Sequence, residues 1–257
     1  MGEAAPRTSY LRPERMPYPF CPGCGHSVIM DELDAALVQL QLDRHRLVVV
    51  VDIGCVALCR EYFDTNWMLG LHGRSITYAT GIKLANPELE VLVLMGDGGI
   101  GIGGHHLINA ARRNIGLTVL LFNNLNFGMT GGEHSVTTLP DSLTATTLYG
   151  NLERPLDACA TAHVNGATFV ARTTTFEPGL SDLIAQAIQN DGFSLVDVWE
   201  PCTSYFVPQN RFGRRQMEEA MAALGFATGV LYQESRPEYS RAYRASVAAE
   251  RHRPLER

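Results

Sequence analysis

Leu89-Glu90-Val91-Leu92-Val93-Leu94-Met95-Gly96-Asp97-Gly98-Gly99 is the stretch that decides the fold. Leu89 to Met95 reads as a strand buried on both faces, which is the habit of strands in parallel sheets. The strand stops at Gly96-Asp97-Gly98. An Asp between two glycines can turn its carboxylate outward while the backbone passes close to a ligand. The next helix is expected over Gly104 to Arg113, so its free N–H groups and positive dipole end face the same space. That describes a phosphate site containing a carboxylate, and two negative groups need a cation between them. Mg²⁺ suits oxygen ligands from one or two side chains plus phosphates. Asn123-Asn124 ends the following strand, and Asn124 can add an amide oxygen. Gly96 to Asn124 spans twenty-nine residues, the length of one loop-helix-strand unit. Gly-Asp-Gly alone also fits a tight turn with a solvated Asp; the Asn-Asn at this spacing favours the cation site.

Outward from this unit the same alternation recurs. Strands are expected at Leu47 to Ile53, Leu117 to Phe122, Thr168 to Ala171 and Ser194 to Trp199. Helices are expected from Ser27, a possible N-cap, to Leu42, and at Ile76 to Leu84, Leu156 to Ala162, Leu180 to Gln189 and Gln216 to Val230. Asn126 to Asn151 is a long loop of the kind that usually carries function. The fold class is therefore α/β, a mostly parallel sheet with helices on both faces. Pro6, Pro13, Pro17 and Pro19 make residues 1–20 an extended arm. Residues 21–232 form the domain. The arginine-rich stretch 233–257 is a tail expected to be mobile or docked on a partner.

Composition narrows the classes. The chain has 257 residues, 46% hydrophobic and 19% charged, with a net charge of −6. That suits one ordered domain and argues against disorder and against a nucleic-acid scaffold. The longest apolar run, Leu47 to Val51, is strand-sized, and no secretory h-region opens the chain. A cytoplasmic protein with reduced thiols is expected, so its six cysteines are free, metal-bound or catalytic.

Ligands of open α/β sheets bind beyond the carboxyl ends of strands. Gly54-Cys55, Gly96-Asp97-Gly98, Asn123-Asn124 and Pro201-Cys202 mark four such ends. Gly-Asp-Gly followed by Asn-Asn resembles the diphosphate-and-magnesium motif of thiamine diphosphate (TPP) enzymes. The resemblance then extends over residues 17 to 205. Cys21-Pro22-Gly23-Cys24-Gly25-His26, Asp52-Ile53-Gly54-Cys55, His72-Gly73-Arg74, Ala79 to Pro87, Ile102 to Leu107, Ala110 to Asn114 and Phe127-Gly128-Met129-Thr130-Gly131-Gly132-Glu133 follow in order. They resemble the β subunit of the 2-oxoacid:ferredoxin oxidoreductases.

That resemblance implies roles. Asp97, the Asn124 side chain and the Asn126 carbonyl would bind Mg²⁺. Gly54, Cys55, Gly73, Gly96, Gly98, Gly128, Met129 and Thr130 would line the cofactor. His72 would face the diphosphate or the thiazolium and is the expected catalytic side chain. Departures from the family pattern are Gly99, His105, Glu133 and Ser135-Val136-Thr137-Thr138. They surround the cofactor site and spare the magnesium ligands.

Cys21-x-x-Cys24 alone suits zinc, an iron–sulfur cluster or a redox dithiol. The expected fold can bring Cys21, Cys24, Cys55 and Cys202 to one point, and four thiolates suit a [4Fe–4S] cluster. In the resembled family these positions bind the cluster nearest TPP. Cys59 and Cys159 read as buried, inert cysteines.

The implied activity is CoA-dependent oxidative decarboxylation of a 2-oxoacid to acyl-CoA and CO₂, with electrons passed to ferredoxin or a similar carrier. The implied partner is an α subunit, or a fused γα subunit, in an (αβ)₂ or larger assembly. It would supply the glutamate that activates the aminopyrimidine. A cluster-free TPP decarboxylase or carboligase subunit is the alternative. Leu58 and Met129 are expected to border the substrate side chain, which leans toward an apolar or aromatic 2-oxoacid over 2-oxoglutarate. Lys83, the sole lysine, reads as structural.

Overall fold

The computed structural model describes residues 8–251. Seven strands form one sheet: β1 (Leu47–Val51), β2 (Asn66–Leu69), β3 (Glu90–Gly96), β4 (Thr118–Asn123), β5 (Phe169–Thr174), β6 (Ser194–Trp199) and β7 (Gly229–Gln233). Their order is β2-β1-β3-β4-β6-β5-β7. Every pairing is parallel except β5 with β7. The helices are α1 (Gly25–Leu40), α2 (Ser75–Ala85), α3 (Asp97–Ile102), α4 (Gly104–Arg113), α5 (Ala158–Val164), α6 (Leu180–Gln189), α7 (Phe206–Asn210), α8 (Arg214–Leu224) and α9 (Tyr239–Arg251).

Alternation along the central strands divides the core in two. Val49, Val51, Leu92, Leu94, Leu120, Phe122, Val196 and Val198 face α1 and α6. Val50, Val91, Val93, Met95, Val119, Leu121 and Leu195 face α2, α4 and α5. Helices on both faces thus explain the near-continuous apolar runs. From β1 the chain goes outward to β2, then returns to place β3 on the other side of β1. The β1/β3 boundary is therefore a topological switch point, where crevices form beyond the carboxyl ends of strands. Gly96 pairs with Phe122, so Asp97 and Asn123-Asn124 emerge side by side.

Several expectations change. α1 starts at Gly25 with Cys24, not Ser27, at its N-cap, and no side chain caps it. Its acidic residues tie other elements instead: Asp31 accepts from Tyr18 Oη at 2.7 Å, and Glu32 from the Ser181 N–H of α6 at 2.9 Å. α3 begins at Asp97 itself, several residues before the expected helix. Three glycines in six residues hid it, because glycine is a poor helix former. α8 stops at Leu224 because Gly225 adopts the left-handed conformation (φ 70°) that ends helices. The chain then returns as β7, so Val230 is in a strand.

The boundary expected after residue 232 falls inside β7. Beyond it, α9 docks on its own chain at the amino edge of the sheet. Glu238 accepts the Gly116, Ser240 and Arg241 N–H groups, and Arg244 donates to the Ala85 carbonyl at 2.6 Å. Residues 252–257 of the expected tail and 1–7 of the arm lie outside the described residues. The described arm packs down: Tyr10 is fully buried, and Leu11 bridges Phe63.

Candidate active site

The carboxyl ends of β1, β3 and β4 open into a cavity. Its lining includes Ile53, Gly54, Cys55, Val56, His72, Gly96, Asp97, Gly98, Asn126, Gly128, Met129 and Thr130. Most of the expected cofactor-lining positions therefore meet in one place. Gly73 lies just behind them. Its N–H donates to Asp52 Oδ1 at 3.0 Å, which ties the His72 loop to the end of β1. The His72 ring meets Phe127 edge-on, with centroids 5.9 Å apart.

Asp97 is buried at the floor. Its Oδ2 accepts Ser135 Oγ at 2.5 Å and Thr137 Oγ1 at 3.0 Å. Burial raises its pKa to about 7, against the lowering effect of those two hydroxyls. Opposite it, Asn124 Oδ1 stands 3.1 Å from Asp97 Oδ1, 2.6 Å from the Asn126 carbonyl and 3.2 Å from Asn126 Oδ1. Four acceptors thus converge, with the Asn126 N–H, 3.3 Å from Asn124 Oδ1, donating into the group. Rotating the Asn124 amide would satisfy them with hydrogens. A cation satisfies them equally: octahedral ligands about 2.1 Å from Mg²⁺ lie about 3 Å from one another. Asn126 Nδ2 is buried without a partner, as though its amide were oriented by something other than the protein. The donor set fits Mg²⁺ at the expected residues.

The thiols gather on the adjoining side. A Cβ placed on Gly128 would lie 3.3 Å from Cys55 Sγ and 3.6 Å from Cys202 Sγ. The Cys202 N–H donates to the Asn124 carbonyl at 3.0 Å. Thr203 Oγ1 donates to the Pro22 carbonyl at 3.3 Å, which clamps the Cys21–Cys24 turn against Cys202. Burial pushes the Cys55 thiol up to about 12, and the charges of Cys202, Cys24 and Cys21 all add to it. All four thiols are free. Four unpaired thiols within electrostatic reach of one another form a donor set suited to an iron–sulfur cluster. Cys59 and Cys159 are fully buried elsewhere, and burial holds both thiols well above their ordinary value.

Behind Cys24 sits a pair that sequence reasoning did not single out. His26 and Glu200 are both buried, with Nδ1 2.6 Å from Oε1. Burial alone would lower the His26 pKa; the Glu200 carboxylate outweighs it and raises the value to about 10. The donor atoms of Cys24, His26 and Glu200 lie within 4.8 Å of one another. Nδ1 and Oε1 are already in direct contact, so no ion fits between them. Ser135 and Thr137 were expected around the cofactor site and Asp52 in a motif, but their hydrogen bonds to Asp97 and to the Gly73 N–H were not foreseen.

Two specificity expectations resolve differently. Met129 borders the cavity, but Leu58 does not; Ile53 and Val56 form the apolar wall instead. Lys83 lies at the opposite edge of the sheet, donating to the Leu89 carbonyl at 2.7 Å.

Fold and site together define a thiamine-diphosphate enzyme domain. The family model for the thiamine pyrophosphate enzyme C-terminal TPP binding domain matches residues 52–198. A 2-oxoglutarate synthase subunit KorB of Archaeoglobus fulgidus is 43% identical over 198 residues, covering 76% of this chain and 74% of that protein. The β subunit of a 2-oxoacid:ferredoxin oxidoreductase of Aeropyrum pernix is 38% identical, covering 72% and 59%. A solved 2-oxoglutarate:ferredoxin oxidoreductase of Magnetococcus marinus, with 2-oxoglutarate, coenzyme A and succinyl-CoA bound, superposes with a TM-score of 0.84. It is 30% identical, and the match covers 96% of this chain and 91% of that one. This chain belongs to the family of β subunits of the 2-oxoacid:ferredoxin oxidoreductases. No helix among the described residues is long and apolar enough to cross a membrane.

Proposed function

We propose that this β subunit carries Mg²⁺-bound thiamine diphosphate and a [4Fe–4S] cluster side by side. The supporting observation is the meeting, at one sheet edge, of the oxygens of Asp97, Asn124 and Asn126 with the thiols of Cys21, Cys24, Cys55 and Cys202. When bound, TPP supplies decarboxylation of the 2-oxoacid and the cluster supplies one-electron acceptance, with CoA taking the acyl group.

The chain's own residues do the rest. Asp97, Asn124 and the Asn126 carbonyl would hold the metal ion, which would supply the charge that the diphosphate needs beside a buried carboxylate. Gly98 leaves the space that the Phe127 ring occupies, and Gly128 leaves the space beside the Cys55 and Cys202 thiols. His72, fixed by Phe127 on one side and the Asp52-tethered loop on the other, presents its imidazole to the reacting end. Ile53 and Val56 form an apolar wall on one side.

The other side belongs to a partner. Leu71 and Met129 are 68% and 51% exposed beside the cavity, which leaves an apolar mouth uncovered. An α-type subunit closing this mouth, in an (αβ)₂ or larger assembly, fits that exposure. A ferredoxin-type carrier is the proposed electron acceptor. Among the described residues, the cavity lining has no lysine or arginine. A 2-oxoacid with an apolar or aromatic side chain fits this wall. A distal carboxylate, as in the 2-oxoglutarate named for several relatives, would have to find its cation on the partner.

The test is the αβ complex purified without oxygen and assayed with a 2-oxoacid panel, CoA and a viologen acceptor. CoA-dependent reduction with at least one 2-oxoacid is expected. Turnover without iron, at fewer than about three irons per αβ unit, would favour the cluster-free TPP decarboxylase instead.

A further inference from the structure

His26 occupies an unusual position for a buried histidine. Its ring is held between Phe20 and Phe122, with centroids 5.1 and 5.0 Å away, so it has no room to swing. Nδ1 is in hydrogen-bonding geometry with Cys24 Sγ at 3.4 Å. Glu200 Oε1 lies 2.6 Å from the same nitrogen, yet no donor is directed at that oxygen. Glu200 Oε2 is 3.9 Å from Cys24 Sγ. A carboxylate oxygen this close to a ring nitrogen requires a hydrogen there, whatever the charge of the ring. The carboxylate therefore keeps the proton on Nδ1, and the N–H is aimed at sulfur.

Gly25 makes the arrangement possible. A Cβ at that position would come within 2.4 Å of Glu200 Cβ and 2.8 Å of its Oε2. The glycine between Cys24 and His26 thus lets Glu200 reach in behind the turn that carries the sulfur.

We propose that His26 is a positioning residue for the cluster: its Nδ1–H donates to the sulfur of Cys24, with Glu200 as the proton's anchor, and so raises the cluster's reduction potential. This rests on the cluster reading given above. Hydrogen bonds to cluster sulfurs favour the reduced form because they stabilise the added negative charge. Cys24 alone of the four thiols has this donor at its back, so the effect is exerted at one corner of the cluster.

Two measurements on the anaerobically purified αβ complex test the proposal. In redox titrations followed by electron paramagnetic resonance, His26→Leu lowers the midpoint potential. His26→Asn, which places an amide N–H near the Nδ1 position, restores much of it. In wild-type enzyme labelled with ¹⁵N-histidine, the reduced cluster shows a nitrogen coupling in pulsed spectra, and His26→Asn abolishes it. The pulsed experiment needs no altered protein, so it still decides if the leucine variant fails to fold or to load iron. An unmoved potential in both variants, or no histidine coupling in the wild type, overturns the proposal. Wild-type enzyme lacking iron and sulfide would overturn the cluster reading itself, which is a different result.

Discussion

Thr137→Val removes the hydroxyl that joins the Asp97 carboxylate, the proposed Mg²⁺ ligand, to the interior. Thr137 Oγ1 lies 3.0 Å from Asp97 Oδ2 and 2.8 Å from Asn123 Oδ1. The Asn123 amide is in turn oriented by Asp197, which accepts its Nδ2 at 3.0 Å, and Asp197 is paired with Arg172 Nε at 3.0 Å. A line of buried polar contacts therefore runs from Arg172 to Asp97. A hydroxyl has one proton, so Thr137 donates to one neighbour at a time. Valine fills the same volume, loses that donated bond and leaves an acceptor unpaired. The expected cost is about 1–3 kcal/mol, or a fall of about 2–10 °C in Tm for a chain of this length. Asp97 would then be held by Ser135 alone. Loss of a group that orients a metal ligand typically costs about 10–100-fold in metal affinity. The assay is thermal unfolding of the αβ complex with and without Mg²⁺-TPP, together with calorimetric titration of Mg²⁺-TPP. Thr137→Ser should restore both quantities. A Tm within about 1 °C of the parent, with Mg²⁺-TPP affinity within about twofold, would refute the reasoning.

Gly128→Ala places a methyl 3.3 Å from Cys55 Sγ and 3.6 Å from Cys202 Sγ; iron content and TPP affinity should fall together while the apo fold survives, and an unchanged iron-to-protein ratio would count against it. Arg172→Met leaves Asp197 as an unpaired buried carboxylate, and orphaning one partner of a buried pair costs about 3–5 kcal/mol; denaturant midpoints should drop accordingly, more than for the surface change Arg214→Met. Glu238 shows the acid response. Burial alone would raise its pKa, but hydrogen bonds from Ser240, Arg241 and Gly116 lower it below 4.5. A depressed carboxylate stabilises the fold above its unfolded value and loses that contribution as pH falls through the folded value. Protection of the α9 amides, with rates corrected for the intrinsic pH dependence of exchange, should therefore fall at acid pH in the parent, and Glu238→Gln should be weakened near neutrality and lose that acid step.

The fold was legible where burial on two faces leaves a compositional trace. α6 and β6 begin and end where the periodicity predicts, because apolar runs and Gly or Asn punctuation mark both ends. β2 was missed because Asn66-Trp67-Met68-Leu69 is a short, largely exposed edge strand with no alternation. β7 and α9 were missed because the arginine-rich composition of the C-terminal stretch says nothing about docking. That docking depends on Glu238 finding the Gly116 N–H, a contact 122 residues apart in sequence. Asp97 and Asn124 were readable because each sits at the end of a buried strand. Ser135 and Thr137 were not, since polar residues in a long loop carry no periodicity; their role follows only from the sheet order that places β4 beside β3. Glu200 was hidden for a similar reason. It directly follows β6, yet its partners are residues of the Cys24 turn, 176 residues away in sequence.

The two proposed cofactor sites share one wall. Gly128 stands where a side chain would touch Cys55 Sγ and Cys202 Sγ and, at 3.4 Å, the Asn124 amide. The Cys202 N–H donates to the carbonyl of Asn124, so the backbone of a proposed magnesium ligand positions a thiol. Asp97 in turn feels the charge of Glu200, the residue behind Cys24. Such packing costs stability, because buried acceptors and thiols face one another with few donors among them. It is the arrangement required if electrons are to leave the organic cofactor for the metal centre over a short distance. Of the three unsatisfied buried side-chain atoms among the described residues, Asn126 Nδ2 and Glu200 Oε1 lie on the two sides of that shared wall, and the third, Ser75 Oγ, lies at the start of α2. At the opposite edge of the sheet α9 is held by ordinary hydrogen bonds and ion pairs, Glu238 with the Gly116 N–H and Arg241 with Asp191.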